Sequence, residues 1–249
     1  MTPAEVWYVR TADVAGDALL GACGAILTPE ERERGRAFLF ERNRHEHLVT
    51  RALGRLVLGR ALGVDPSSLS FRRTVHGRPE LDPPSELRFN LTNTTAFVAC
   101  VLARGREVGL DAEPATRAPE ILDVAHVVFT KAEREGLAGL ETDSRRLRAL
   151  RLWTAKEAYM KARGLGFSLA PTRFELSVRE DGVSLRYLED LGDDASRWEI
   201  TTREIEGHMV AVCVERRGAS GSGSEIVFHR ADLAALLAMT ARASARGKG

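Results

Sequence analysis

The chain carries the same order of helix and strand signals twice. Thr28 is followed three residues later by Glu31, and Thr130 is followed in the same way by Glu133. This spacing is that of a capping box, in which the Thr hydroxyl and the Glu carboxylate accept hydrogen bonds from free N–H groups at a helix start. Two helices with the same start are therefore predicted about one hundred residues apart.

A longer stretch of helical periodicity follows each capping box after a short break. These stretches cover residues 47–63 and 146–164, and each ends in glycine, the usual residue at a helix C-terminus. Two apolar strand patterns with a short connection then follow in each half, at 88–92 with 96–104 and at 197–201 with 208–216. Chance likeness of common elements is the alternative, but the shared order of cap, helix, glycine and hairpin favours a duplication.

We therefore predict an α+β fold made of two similar α+β halves. The N-terminal half is expected to span residues 1–106 and the C-terminal half residues 107–217, each of the size of a small domain. The segment 218–249 is expected to begin as a Gly/Ser linker, to form a short helix near 232–241 and to end in a disordered polar tail.

The composition excludes several classes of protein. The 249 residues include 36 Lys and Arg against 35 Asp and Glu, a formal net charge of +1, whereas nucleic-acid-binding proteins usually carry a clear basic excess. No apolar run is long enough to cross a bilayer, and the N-terminus lacks the pattern of a signal peptide. Three scattered cysteines fit neither a disulfide framework nor a zinc site. We expect a soluble cytoplasmic protein with no membrane or nucleic-acid partner.

Residues 107–114, EVGLDAEP, alternate as a half-buried strand does. One face is apolar, and the other carries the carboxylates of Asp111 and Glu113. Two neighbouring carboxylates repel each other, so a cation or a proton is expected between them unless water surrounds both. Mg²⁺ is suitable, because it is often held by one or two carboxylates together with substrate phosphates. A strand with a solvated acidic face is the alternative.

A second charged group lies on the predicted helix at 146–164. Trp153, Glu157 and Lys161 are spaced four residues apart, so they share one stripe, and Lys156 lies beside it. An exposed Glu–Lys pair is the plainer interpretation, but an indole normally buries the stripe on which it lies. We therefore predict that Glu157 adds a third carboxylate to the acidic pair of the strand and that the lysines face phosphate.

Arginines and a polar turn supply candidate anion contacts. Most surface arginines are solvated or paired, but a subset that converges on one point would bind an anion. The turn at 92–95 carries hydroxyl and amide groups that serve a turn by default and can also hold a phosphate. The candidate arginines are Arg32, Arg34, Arg36, Arg51, Arg55 and Arg78.

These motifs resemble those of the Sfp-type 4′-phosphopantetheinyl transferases. The resemblance rests on VGLDAEP at 108–114 and WTAKEAYMKARGLG at 153–166, and TPEERERGRAF, HGRPEL and RFNLTNT support it upstream. It covers roughly residues 20–215. The family implies two similar α+β halves with the active site between them. It also implies Mg²⁺-dependent transfer of phosphopantetheine from coenzyme A to a serine of an acyl or peptidyl carrier protein, with release of adenosine 3′,5′-bisphosphate.

The resemblance further implies roles for individual residues. Asp111, Glu113 and Glu157 match the carboxylates around Mg²⁺. Glu157 is also the expected general base, Lys161 is expected to stabilise the leaving group, and Asp111 is counted with both as catalytic. The expected contacts to coenzyme A are Arg34, Arg51, Arg78, Thr92, Asn93, Asp111, Lys156 and Lys161.

Two positions depart from the family pattern. Asn93 stands where members commonly have His, and Glu31 stands where a Lys is common. Both changes weaken the expected binding of the 3′-phosphate, so Arg34 and Arg51 are expected to supply more of the contacts to it. The carrier is expected to dock near 118–130, on an exposed subset of apolar side chains that otherwise enter the core. These apolar side chains are Ile121, Leu122, Ala125, Val128 and Phe129.

Other functions stay open at this point. A non-catalytic protein that binds coenzyme A or a nucleotide would gain nothing from three crowded carboxylates. A metal-dependent pyrophosphatase is consistent with the carboxylates alone. A nucleic-acid-binding role is disfavoured by the net charge and by an aromatic content of 6%. Two halves in one chain favour a monomer.

Overall fold

The computed structural model describes residues 2–179, 182–216 and 225–246, and these form the expected α+β fold. No helix in these ranges is both long and apolar enough to cross a bilayer. The helices are α1 (Asp17–Ala25), α2 (Pro29–Arg36), α3 (Glu41–Leu62), α4 (Ala118–Asp123), α5 (Ala125–Val128), α6 (Lys131–Ala138), α7 (Thr142–Arg163) and α8 (Leu233–Arg246). The strands are β1 (Ala4–Arg10), β2 (Ser70–Arg73), β3 (Pro79–Asp82), β4 (Leu87–Thr94), β5 (Phe97–Arg104), β6 (Val108–Pro114), β7 (Phe174–Arg179), β8 (Gly182–Tyr187), β9 (Trp198–Ile205), β10 (His208–Glu215) and β11 (Ile226–Arg230).

Two sheets pack between the two long helices. The N-terminal sheet has the order β11-β1-β5-β4, and the C-terminal sheet has the order β6-β10-β9-β8-β7. One apolar cluster lies between α3 and the first sheet, a second between α7 and the other sheet, and a third between the sheets themselves. Strands β2 and β3 form a separate hairpin. Each half is thus a sheet covered by one long helix, in agreement with the predicted duplication.

The central strands explain why the sheets can stack. Strands β5 and β10 read almost continuously apolar, and nearly all of their side chains are buried. On β10, Ala211 and Cys213 enter the cluster under α7, whereas Val210 and Val212 enter the cluster between the sheets. A strand that is covered on both faces needs apolar residues on both faces.

Both capping boxes form as predicted. Thr28 Oγ1 accepts a hydrogen bond from Glu31 N at the start of α2, and Thr130 Oγ1 accepts one from Glu133 N at the start of α6. The glutamate carboxylates accept hydrogen bonds from the Thr N–H groups in return. The long helices α3 and α7 each end at a glycine with positive φ, which an L side chain rarely adopts.

The two sheets meet at their edge strands, β4 and β6. Asn90 is buried on β4, and its Oδ1 accepts a hydrogen bond of 3.0 Å from the N–H of Leu110 on β6. A side-chain amide therefore satisfies a backbone donor across the boundary between the halves. This contact brings β4 beside the acidic face of β6.

The C-terminal segment returns to the N-terminal half. Strand β11 pairs in parallel with β1, and helix α8 packs against α3 through the buried side chains of Leu233 and Leu236. The predicted short helix is therefore present, but it continues to Arg246 and includes the start of the segment expected to be a disordered tail. The predicted linker lies outside the described residues, apart from its last position.

Candidate active site

Strand β6 carries Asp111 and Glu113 on the face that the strand pattern predicts. Both residues are buried, with 6% of their surface exposed. The alternate residues Leu110 and Ala112 enter the cluster between the sheets, so the two carboxylates face α7. Because successive side chains of a strand point to opposite faces, β6 can contribute apolar residues to the contact between the sheets and acidic residues to the site.

The charged stripe of α7 lies against this acidic face. Trp153 Nε1 donates a hydrogen bond of 3.2 Å to Glu113 Oε1, and Lys161 Nζ pairs with Asp111 Oδ1 at 2.6 Å. Glu157 lies between these two positions on the helix. Asp111 and Glu113 of β6 face α7, and Glu157 of α7 lies close enough to both for their charges to act on it. These three residues are called here the acidic cluster.

Gly109 lets the helix approach the strand. A Cβ atom at this position would lie 2.0 Å from the carbonyl oxygen of Ala158 and 2.4 Å from the N atom of Ala162. No side chain fits at such distances, so only glycine allows β6 and α7 to be this close. The short reach from Asp111 to Lys161 depends on this approach.

Each member of the acidic cluster has one carboxylate oxygen without a hydrogen-bond partner. These buried atoms are Asp111 Oδ2, Glu113 Oε2 and Glu157 Oε1. Burial, followed by the negative charge of Asp111, raises the pKa of Glu157 to about 7. Burial also raises the pKa of Asp111, although Lys161 opposes the change. Crowded acids with unused buried oxygens are the pattern expected of a site that takes up a cation or a proton.

The remaining oxygens of β6 are held by protein cations. Lys161 holds Asp111, and the half-exposed Arg117 donates from Nη1 to Glu113 Oε1 at 2.5 Å. Within the ranges that the structure describes, no group of three or more His, Cys, Asp or Glu side chains is arranged to hold a metal ion. The acidic cluster has the hard oxygen donors that Mg²⁺ prefers, but it is arranged here as acids compensated by Lys161 and Arg117.

A cavity of about 440 Å³ lies in the N-terminal half, and we call it the cationic cavity. Arg34 of α2 and Arg51 of α3 line it, as do Arg72 and Arg73 of β2. Burial lowers the pKa of Arg51; Glu31 opposes this, while the neighbouring charges of Arg73 and Arg34 add to it. Guanidinium groups crowded around one space attract an anion.

Strand β4 borders both regions. Leu91 lines the cationic cavity, and the next residue, Thr92, donates from Oγ1 to Asp111 Oδ1 at 3.4 Å. Lys161 Nζ lies 3.4 Å from the same hydroxyl oxygen. Thr92 therefore lies at the acidic cluster, whereas Asn93 is exposed.

Lys156 does not lie where the sequence interpretation placed it. Its side chain has no exposed surface, and Nζ pairs with Glu133 Oε1 at 3.0 Å. The ammonium also donates to the carbonyl oxygens of Pro171 and Phe174, at 2.6 and 2.9 Å. An ammonium with three donors used inside the core has none left for a phosphate. The predicted contact of Lys156 with coenzyme A is therefore wrong.

Arg78 is also turned away from the cationic cavity. It pairs with Glu107 at 2.7 Å and donates to the carbonyl oxygen of Ala162, so that it joins the β2–β3 hairpin to the end of α7. It lines a different cavity, of about 410 Å³, together with His76 and Trp198. The expected phosphate contact of Arg78 is not supported by this placement, because its guanidinium already neutralises Glu107.

The apolar residues of 118–130 are divided differently from the prediction. Ile121, Val128 and Phe129 are buried, and Leu122 and Ala125 pack against the same core. The exposed apolar side chains of this segment are instead Val124 and Val127, at 43% and 59%. The helical path is interrupted at Val124, between α4 and α5. The face exposed to solvent is therefore not the one that continuous helical spacing over this segment indicates.

Sequence reasoning missed Arg73 and Arg117. Arg73 lies on a short hairpin strand, and its approach to Arg51 depends on how that hairpin folds over α3. Arg117 follows Glu113 by four residues, which is a signal for pairing only if a helical turn begins directly after β6. The strand-ending Pro114 gave no indication of that turn.

Comparisons with known proteins match both halves of the chain. A family model described as the 4′-phosphopantetheinyl transferase superfamily matches residues 107–213, and a model of the N-terminal part of 4′-phosphopantetheinyl transferases matches residues 17–104. A phosphopantetheinyl transferase of Thraustochytrium sp. is 32% identical over 235 residues, which are 88% of this chain and 81% of that protein. The 4′-phosphopantetheinyl transferase Sfp of Bacillus subtilis is 29% identical over 76% of this chain and 82% of its own.

A solved structure shows a more partial likeness. A holo-(acyl-carrier-protein) synthase from Bacillus anthracis, in complex with CoA, is 22% identical and covers 44% of this chain and 94% of its own, with a TM-score of 0.37. At that score the likeness supports no functional argument.

Proposed function

The chain belongs to the 4′-phosphopantetheinyl transferase superfamily, and from this membership we propose that it moves the 4′-phosphopantetheine of coenzyme A to a serine of an apo acyl or peptidyl carrier protein. One observation carries the proposal for the reacting end of the site. Three neighbouring acids from β6 and α7, beside Lys161, each have a buried carboxylate oxygen without a hydrogen-bond partner. A protein that only binds phosphate has no use for such an arrangement, because the acids repel the ligand.

We propose that the cationic cavity receives the nucleotide end of coenzyme A. The 3′-phosphate needs cations, and Arg34, Arg51 and Arg73 line this space. Glu31, which stands where the family commonly has Lys, also lines this space, but its carboxylate is paired with Arg55. The pyrophosphate would then pass the C-terminal end of β4, where Thr92 and Lys161 lie together.

We propose that Asp111, Glu113 and Glu157 hold Mg²⁺. The donor chemistry fits, because each residue has an unused buried carboxylate oxygen, although the three side chains are not already arranged as a metal site. When bound, the ion would neutralise negative charge on the pyrophosphate. Lys161 and Arg117, which now compensate the carboxylates of β6, would be freed to face phosphate oxygens.

In the proposed reaction, Glu157 is the general base. The serine hydroxyl attacks the β-phosphorus, its proton passes to Glu157, and the bond to the α-phosphate oxygen breaks to release adenosine 3′,5′-bisphosphate. A pKa of about 7 suits a base near neutral pH. Lys161 stabilises the charge that develops on the leaving group. One carboxylate cannot hold a metal tightly and also take a proton. We therefore assign the metal-ligand bonds mainly to Asp111 and Glu113 of β6.

The carrier protein is proposed to approach over α5. Val124 and Val127 are exposed there, and the half-exposed Arg117, which pairs with Glu113, lies at the start of the neighbouring α4. Carrier proteins of this kind present an acidic helix, which an apolar patch beside a cation complements.

The test is a transfer assay. The protein, Mg²⁺ and coenzyme A are mixed with a panel of apo carrier proteins, and intact mass spectrometry records which carriers gain phosphopantetheine. We expect transfer to at least one carrier, loss of transfer for Asp111→Asn, and normal transfer for the exposed control Asp143→Asn, which lies at the start of α7. Binding of coenzyme A without transfer to any carrier would favour the alternative, a non-catalytic coenzyme A-binding protein.

A further inference from the structure

Each half of the molecule buries a cation at the same place on its long helix. Arg55 lies in the middle of α3 and Lys156 in the corresponding part of α7, with 2% and 0% of their surface exposed. Buried cations are rare unless they are fully paired. Two of them at equivalent positions are therefore a feature of the duplicated framework that needs a physical reason.

In the N-terminal half, Arg55 joins three segments. Its Nε donates to Glu31 Oε2 at 2.8 Å, and its Nη1 donates to the carbonyl oxygens of Pro66 and Leu69 at 2.9 and 3.0 Å. The guanidinium also lies over the ring of Phe71, with 5.2 Å to the centroid. Helix α3 is thereby tied to the capping box of α2 and to the segment that enters β2.

In the C-terminal half, Lys156 makes the same set of contacts. It pairs with Glu133, the capping-box glutamate of α6, and donates to two carbonyl oxygens of the segment that enters β7. It lies over the ring of Phe174, with 4.4 Å to the centroid. A cation on the long helix, a capping-box glutamate, two carbonyl groups and one aromatic ring thus recur in both halves.

The energetics favour a role in orientation. A buried ion pair adds little stability compared with apolar residues of the same size, because removing both charges from water is costly. Its hydrogen bonds have fixed directions, however, so they set the rotation of a helix about its axis. On α7, fixing Lys156 fixes the next residue, Glu157, and the stripe of Trp153 and Lys161. On α3, fixing Arg55 fixes Arg51 one turn earlier.

We propose that Arg55 and Lys156 are positioning residues, one for each end of the substrate. Lys156 orients α7 so that its stripe meets the carboxylates of β6, and Arg55 orients α3 against α2 so that Arg34 and Arg51 face one cavity. The inference rests on the proposed function for the identity of the two ligands. Lys156 lies away from both ligands in this assignment. Arg55 lines the cationic cavity, but its Nε and Nη1 donors are used by Glu31, Pro66 and Leu69, so its role there is to position α3.

Two binding measurements distinguish effects on the acidic cluster from effects on the cationic cavity. Binding of Mn²⁺, in place of Mg²⁺, is followed by the electron paramagnetic resonance signal of the free ion. Binding of adenosine 3′,5′-bisphosphate is followed by calorimetry in EDTA. We expect Lys156→Met to weaken Mn²⁺ binding by roughly tenfold or more, as the loss of a supporting residue behind metal ligands does. The same variant should leave the affinity for the bisphosphate unchanged. We expect Arg55→Met to weaken binding of the bisphosphate and to leave the affinity for Mn²⁺ unchanged.

Further variants keep the result interpretable. Lys156→Arg should restore part of the Mn²⁺ affinity, because it keeps a cation beside Glu133. If Lys156→Met does not fold, Lys156→Met combined with Glu133→Gln removes both buried charges and should still bind Mn²⁺ weakly. If a variant loses affinity for Mn²⁺ and for the bisphosphate equally, or loses neither affinity, the positioning role is overturned.

One control separates this inference from the proposed function. Asp111→Asn should lose Mn²⁺ binding. If wild type and Asp111→Asn bind Mn²⁺ alike, the proposed metal site is wrong. If Asp111→Asn loses the ion but Lys156→Met keeps it, the positioning role alone is wrong.

Discussion

At the scale of single residues, the proposed base Glu157 lies where its ionised carboxylate is unfavourable. Its pKa is raised from 4.5 to about 7 by burial and by the neighbouring acids. Between these two values the folded protein binds more protons than the unfolded chain, so the free energy of unfolding falls as the pH rises from about 4.5 to about 7. The ionised carboxylate therefore destabilises the metal-free protein above neutral pH.

We expect Glu157→Gln to stabilise the metal-free protein at pH 8 by on the order of 1 kcal/mol. At pH 4.5 the gain should be much smaller, because the native carboxyl is already neutral there. Urea denaturation in EDTA at both pH values measures the difference, with the exposed Glu120→Gln as the control. An equal gain at both pH values would contradict the raised pKa.

Arg51 gives a second prediction at this scale. It lines the cationic cavity among other cations, so a bound phosphate would relieve repulsion as well as accept hydrogen bonds. We expect Arg51→Ala to weaken binding of adenosine 3′,5′-bisphosphate roughly tenfold, since a hydrogen bond to a charged group contributes about 1.5–3 kcal/mol. Calorimetry measures the affinity. Arg36→Ala is the matched control, because Arg36 is exposed on α2 and lies outside the residues that line the cavity. An unchanged affinity for Arg51→Ala would remove this residue from the proposed site.

The acidic cluster was predictable because its spacing is local. A period of two on β6 places Asp111 and Glu113 together, and a spacing of four on α7 aligns Trp153 with Glu157. Lys156 was assigned wrongly for the opposite reason. Its neighbours Glu133 and Phe174 come from other elements, and helical spacing does not tell which side of a helix faces the core when both sides carry charge.

At the scale of elements, the contact between β6 and α7 depends on one missing side chain. We expect Gly109→Ala to lower the free energy of unfolding by about 1–3 kcal/mol, as overpacking of a filled interior does. The added Cβ would overlap the backbone at Ala158 and Ala162, so α7 must move away from the acidic face of β6. Chemical denaturation and Mn²⁺ binding should both report the change.

The control for this variant is Gly136→Ala. Gly136 lies inside α6 with open space around it, so alanine should be neutral or slightly stabilising there. A Gly109→Ala protein that matches Gly136→Ala in stability and in Mn²⁺ affinity would show that the close approach is not required.

The elements themselves were largely readable from the sequence, and their assembly was not. Capping boxes, terminal glycines and hairpins are set by residues a few positions apart, so the prediction of α2, α6 and the paired strands is confirmed. The parallel pairing of β11 with β1 joins residues more than two hundred positions apart. No local signal specifies such a pairing, because its stability comes from the exposed edge of β1 and the uncovered face of α3.

At the scale of the whole molecule, the C-terminal segment completes the N-terminal half. We expect removal of residues 226–249 to lower the free energy of unfolding and to promote self-association through the freed edge of β1. Denaturation and sedimentation velocity measure the two effects. A truncated chain that has the same association state and the same stability as the full chain would contradict this view of the segment.

Point variants in α8 separate packing from strand pairing. Leu236 is buried against the N-terminal core, so Leu236→Ala should cost about 2–3 kcal/mol. Met239, which is 57% exposed on the same helix, should change stability by less than about 0.5 kcal/mol when replaced by Ala.

Repetition of the framework does not repeat the acidic cluster. By the pairing of β1 with β5 and of β6 with β10, the positions that match Asp111 and Glu113 in the N-terminal half are Trp7 and Val9. Leu56, which follows the buried cation of α3, matches Glu157, and all three counterparts lie in an apolar core. Within the described residues, the duplicated framework therefore offers one acidic cluster rather than two. We expect a Mn²⁺ titration to reach its equivalence point at one ion per chain.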